Sequence, residues 1–209
     1  ICIDLYASRM LKPGDEIEEC DSFTRYEMKA LAPISSSAMK NWKAFSKKIL
    51  TTKNPYTGLS IAEEPAIYSL NLINEGNLLQ DWDTYPAFIP IYQKKYIEYL
   101  QAKNLDTPEN RKMNGGLFIE FLNGLQSKCI EEQKRFLRDE IKLTALITDL
   151  NHRHNFTYAG LRMQLDFVDN HQYWDHPTFP GIRWKFPFLF NGQSSISKNA
   201  QSPRSLMPT

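Results

Sequence analysis

Residues 66–77 read AIYSLNLINEGN. An apolar run of strand length breaks off into Asn74-Glu75-Gly76-Asn77, a carboxylate set among amides and a glycine. The run is too short for a typical helix and is bounded by turn residues, so it reads as a buried strand over 66–74. Its exit is charged and hydrogen-bonding, and the fold depends on what lies before and after it.

Upstream, ICIDLYA at 1–7 reads as another buried strand, with β-branched Ile1 and Ile3. Residues 11–36 carry charges, Pro13, Gly14 and Pro33, and read as a long loop. At 36–50, Ala38, Trp42, Phe45 and Ile49 recur at helical spacing, with Ser35 or Ser36 as N-cap. Asn54-Pro55-Tyr56-Thr57-Gly58 is a turn. Downstream, Pro86 and Pro90 open a helix running to about Lys103, with Ile89, Tyr92, Tyr96 and Tyr99 on one face. A stronger helix covers 117–139, striped by Phe118, Phe121, Leu122, Leu125, Cys129 and Phe136. LTALITDLN at 143–151 predicts a third strand, 157–165 a short helix, and DFVDNHQYW at 166–174 a fourth strand. Strands alternating with helices imply a parallel sheet, which Rossmann-type and barrel folds both satisfy.

The totals narrow the function classes. The chain has 209 residues, 42% hydrophobic and 12% aromatic, enough for a sizeable core. Its 25 basic and 24 acidic residues give a formal net charge of +1, no electrostatic reason to expect nucleic acid as partner. No apolar run approaches the ~20 residues of a membrane span. Cys2, Cys20 and Cys129 have no CxxC spacing and suggest neither a disulfide scaffold nor a zinc knuckle. The chain opens without Met on a strand-like run and closes on a polar segment, and both ends read as cuts within a longer protein. No GxGxxG or GxxxxGK[ST] follows a strand, which disfavours a nucleotide cofactor. Asp169, His171, Asp175 and His176 lack a metal-site spacing, and no GxSxG occurs.

What distinguishes the chain is how its later strands end: Asn74-Glu75, then Asp149-Leu150-Asn151-His152, then Asp169-Asn170-His171-Gln172-Tyr173-Trp174. In a parallel β/α barrel the carboxyl ends of the strands converge on one mouth, where function is built. His171 and Tyr173, two apart on a strand, would face the same side. The stretch NPYTGLSIAEEPAIYSLNLINEGNLL resembles the segment through the fourth barrel strand of clan A glycoside hydrolases, the large group that includes cellulases and β-galactosidases. DLYASR resembles the third strand of that family, LITDLN the fifth and VDNHQYWDHPTFPG the sixth.

The resemblance implies an α/β fold, a partial (β/α)8 TIM barrel over residues 1–190, with 191–209 a polar loop leading to a seventh strand. It implies a retaining glycosidase with Glu75 as catalytic acid/base. Asn74, Asn151, His171, Tyr173 and Trp174 become substrate-binding residues, with Asn74 on the sugar 2-hydroxyl. Trp82 and Trp184 are further candidates for stacking on sugar rings. Burial at the end of an apolar strand is expected to raise the Glu75 pKa, as an acid requires. The partners implied are an oligosaccharide or polysaccharide and the rest of the barrel, with no cofactor and no metal. A bacterial glycan-degrading enzyme of this kind would act outside the cytoplasm. The second carboxylate, a Glu on the seventh strand in that family, matches no residue here, so the piece alone is expected to be inactive. The alternative is a non-catalytic carbohydrate-binding or scaffold protein on a degenerate barrel.

Overall fold

The computed structural model describes residues 1–5, 17–18, 27–152, 156–171 and 177–190. The fold is mixed α/β. Three short strands, β1 (Cys2–Asp4), β2 (Ser69–Asn71) and β3 (Leu146–Thr148), form a parallel sheet in the order β1-β2-β3. Six α-helices accompany them among the described residues: α1 (Glu27–Leu31), α2 (Ser36–Thr51), α3 (Leu78–Asp81), α4 (Ile89–Ala102), α5 (Gly116–Arg135) and α6 (Ala159–Arg162).

The three strands share one register. Asp4, Asn71 and Thr148 are partners across the sheet, as are Ile3, Leu70 and Ile147. Side chains alternate along a strand, so the first set lies in a polar row on one face and the second in an apolar row on the other. Both faces of β2 are buried, since Leu70 and Asn71 are each fully inaccessible.

Helical periodicity places the larger elements. Ser35 caps α2 by accepting from Ala38 N at 3.1 Å, and Trp42 on the inner face donates its indole N–H to Leu72 O at 3.0 Å. That bond anchors α2 to the exit of β2. Tyr92 and Tyr96 of α4 and Phe118 and Phe121 of α5, on the expected apolar faces, are buried together, with Tyr96 4.9 Å from Phe118 in an edge-on contact. Beyond Arg135 the helix widens into a π-helical turn over Phe136–Glu140, which completes the expected span.

Three expectations need correction. The strands are shorter than their apolar runs. The loop read over 11–36 contains α1, and α3 follows β2 directly. The fourth strand expected at 166–174 does not form over 166–171, and 172–174 lie outside the described residues. Asp166 N does bond Ile147 O at 3.0 Å and His171 N bonds Asn151 O at 2.7 Å, so the segment runs beside β3. Between those points the backbone leaves ladder geometry, because Asp166 turns its own carboxylate onto Ile147 N (2.8 Å) and Thr148 Oγ1 donates to Phe167 O (3.2 Å).

Candidate functional site

Glu75, Asn151 and His171 come together beyond the carboxyl ends of β2 and β3. Side chains from these two strand exits and from the segment beside β3 close one hydrogen-bonded circuit. Glu75 N donates to Asn151 Oδ1 at 2.9 Å, Asn151 Nδ2 lies 2.9 Å from His171 Nε2, and His171 Nδ1 lies 3.1 Å from Glu75 Oε1.

The circuit sets the protonation pattern. A backbone N–H can only donate, so Asn151 presents its oxygen to Glu75 and its amide nitrogen to His171. His171 Nε2 then accepts, and the proton of a neutral imidazole sits on Nδ1, aimed at the Glu75 carboxylate. The His171 and Glu75 side chains stay 23% and 24% exposed, enough for contact with a ligand.

Local backbone explains the aim. Glu75 has φ 54° and Leu150 φ 58°, left-handed values that non-glycine residues rarely adopt. Such strain costs of order 1–3 kcal/mol and persists where the surroundings dictate it. Gly76 permits the turn after Glu75: its N–H bonds Ile73 O at 3.1 Å, and a Cβ there would stand 3.2 Å from the same oxygen. Arg162 holds the second strained site by donating to Leu150 O.

The electrostatics differ from expectation. Partial burial pushes the Glu75 carboxyl up, but the hydrogen bond from His171, with the positive potential of His152 and Lys29, outweighs it. Glu75 is held below its ordinary value, not above it. The apolar strand behind it desolvates only one side, while donors occupy the other.

The remaining candidates separate. Asn74 is half-buried at the same exit and donates its N–H to Leu5 O at 3.0 Å. Asn151 is fully buried and turned inward onto Glu75 and His171, so it positions those groups and does not face a ligand. Tyr173 and Trp174 lie outside the described residues. Trp82 packs edge-on against Phe118 at 4.8 Å and Tyr92 at 6.0 Å as part of the core. Trp184 is 68% exposed and stacks obliquely on Phe179 at 5.2 Å.

Two further carboxylates adjoin the site: Asp149, expected at the end of the third strand but without a role, and Asp4, which was not singled out. Asp4, at the end of β1, places Oδ2 4.0 Å from His171 Nε2, the ring nitrogen that does not contact Glu75. Asp149, at the end of β3, is 2% exposed and accepts from Ile73 N at 3.3 Å and Gln126 Nε2 at 3.4 Å. Burial pushes its carboxyl up to about 7. Each was visible as a charge inside an apolar run, ICIDLY and LITDLN. Among the described residues, no group of three or more His, Cys, Asp or Glu is arranged to hold a metal, and no helix is long and apolar enough to cross a membrane.

Comparison with protein-family models, curated proteins and solved structures finds no match to this chain.

Proposed function

We propose that this chain is part of a retaining glycoside hydrolase. In this reading the parallel sheet is a section of a (β/α)8 barrel and Glu75 is the group that exchanges a proton with the glycosidic oxygen. The observation that carries the reading is the hydrogen bond between Glu75 Oε1 and His171 Nδ1 at the carboxyl ends of parallel strands.

The geometry supports a two-stage role. In the second stage of a retaining reaction, the carboxylate takes a proton from water as that water attacks the glycosyl-enzyme bond. A carboxylate held below its usual pKa and hydrogen-bonded by His171 is in the right form for that step. In the first stage it must carry a proton. A glycan filling the mouth displaces water from the exposed quarter of the side chain, and a second carboxylate nearby disfavours a second negative charge, so both raise the pKa when the site is loaded. The nucleophile is assigned to a later strand of the same barrel. Asn74 offers an amide for a sugar hydroxyl.

Glu75→Gln in the full-length protein tests the reading. Hydrolysis of an unactivated β-glycoside is expected to fall about 10²–10⁴-fold, the usual contribution of general acid–base catalysis. A variant that hydrolyses it at the wild-type rate overturns the assignment.

A further inference from the structure

The exit of β2 carries one residue more than its pairing with β1 needs. Leu5 donates its N–H to Asn71 O at 3.1 Å, and in regular parallel pairing its carbonyl would then accept from Ile73 N. It accepts instead from Asn74 N at 3.0 Å. The one-residue shift is a bulge immediately before Glu75, and bulges re-aim the side chains beside them. The Ile73 N–H is left without its ladder partner inside the protein, where an unpaired donor is costly.

Asp149 fills that vacancy. Its Oδ1 accepts from Ile73 N and its Oδ2 from Gln126 Nε2 of α5. Two residues on, Asn151 repeats the pattern by accepting from Glu75 N. The exit of β3 therefore holds the exit of β2 by two side chains, where the backbone ladder has ended at Leu72 N–Thr148 O (3.0 Å). Left-handed Leu150 between them sets both side chains to this task.

We propose that Asp149 is a positioning residue for Glu75: its buried carboxyl group locks the bulge at Ile73 to α5, and the locked bulge holds Glu75 against His171. This rests on Glu75 being the reacting carboxylate. Around Asp149, the titratable groups that interact with it electrostatically are Lys29 of α1 and Cys129 of α5, and burial pushes the Cys129 thiol well up, so it stays neutral. Asp149 itself changes charge near neutrality.

Nuclear magnetic resonance of the isotope-labelled protein tests the lock. On titration between about pH 5 and 9, the Ile73 and Glu75 amide protons are expected to follow the Asp149 carboxyl carbon through one shared transition. Asp149→Leu should speed Ile73 amide exchange about tenfold or more, as an amide without its partner does, and move the His171 Nδ1 signal toward that of a free imidazole. In the full-length protein it should lower kcat roughly ten- to a hundredfold with little change in KM. Asp149→Asn, which keeps an acceptor for Ile73, should restore Ile73 protection and most of the kcat. The proposal is overturned if the Ile73 amide ignores the Asp149 transition, or if folded Asp149→Leu keeps wild-type His171 signals. Should Asp149→Leu not fold, the wild-type titration decides alone. These spectra need no turnover, so they separate failure of the lock from failure of Glu75 as the reacting group.

Discussion

Two aspartates grip the third strand, one at each end, and they behave oppositely. Asp166 stands beside the entrance of β3 and accepts from Ile147 N at 2.8 Å; Asp149 stands at the exit and accepts from Ile73 N at 3.3 Å. Both substitute a side-chain oxygen for a missing strand partner. Asp166 also pairs with Arg138 Nη2 at 2.6 Å and Lys134 Nζ at 3.1 Å. Burial pushes its carboxyl up, but the Ile147 N–H and the Lys134 hydrogen bond, with the charges of Lys134 and Arg138, hold it below the ordinary range. Asp149 is only 2% exposed, against 24% for the Asp166 side chain, and this deeper burial outweighs the Leu150 and Ile73 N–H groups and the charge of Lys29, raising its carboxyl to about 7. The difference teaches that depth of burial, weighed against the donors and cations that reach the group, decides whether a carboxylate serves as a permanent clamp or stays titratable. The titratable one is next to the site.

The largest effect should come from neutralising Asp149. Its folded pKa of about 7 lies above the ordinary 3.8, so the folded state binds the extra proton. The stability it contributes is complete below the ordinary value and is lost as pH rises to about 7, on the order of 4 kcal/mol in all. Asp149→Asn has no such loss, because Gln126 can turn its amide over to accept from the new Nδ2. Chemical denaturation at about pH 5 and 8.5 should show the variant gaining on the wild type as pH rises. A wild-type stability that rises over that range, with no gain for the variant, would break the contrast between the two aspartates.

A smaller change of opposite sign is expected at Asp166. Its depressed folded pKa means that its contribution is present above the ordinary carboxylate value and lost as pH falls through the folded one. Asp166→Ala should cost about 1–2 kcal/mol at neutral pH, a figure reduced for the partial exposure of the ion pairs, and close to nothing in strong acid. Thermal unfolding from about pH 2 to 7 measures it. A cost that does not change with pH would show that Asp166 acts by packing alone.

The legibility of the molecule follows the same physics. Long helices were readable because a 3.6-residue repeat over about three turns, as in Phe118–Phe121–Leu122–Cys129, leaves little choice of face. The parallel order followed from alternation of element types. α1 and α3 were missed because five- and four-residue helices carry too few turns to show a period. The fourth strand was overcalled over 166–171 because its apolar residues match strand composition, whereas Asp166 uses its side chain where the backbone would have paired. Glu75, Asn151 and His171 were found from their position after apolar runs. Their roles were less visible: that Asn151 faces inward, and that Glu75 is held low, depends on contacts between residues 76 and 96 positions apart. Asp4 was not singled out, and Asp149 was seen only as a strand-end residue, because a lone charge in an apolar run gives no hint of its partner.

The claim at the centre of this account is that Glu75 handles the proton of a glycosidic bond, and one measurement addresses it directly. Glu75→Gln in the full-length protein is given a dinitrophenyl β-glycoside, whose leaving group needs no proton, with and without azide. Bond cleavage in the first step should be nearly spared and the glycosyl-enzyme should accumulate, since no base remains to activate water. Azide needs no base, so it should restore turnover and yield a glycosyl azide of retained configuration. Uniformly weak turnover with no azide product would contradict the account and make Glu75 a structural carboxylate.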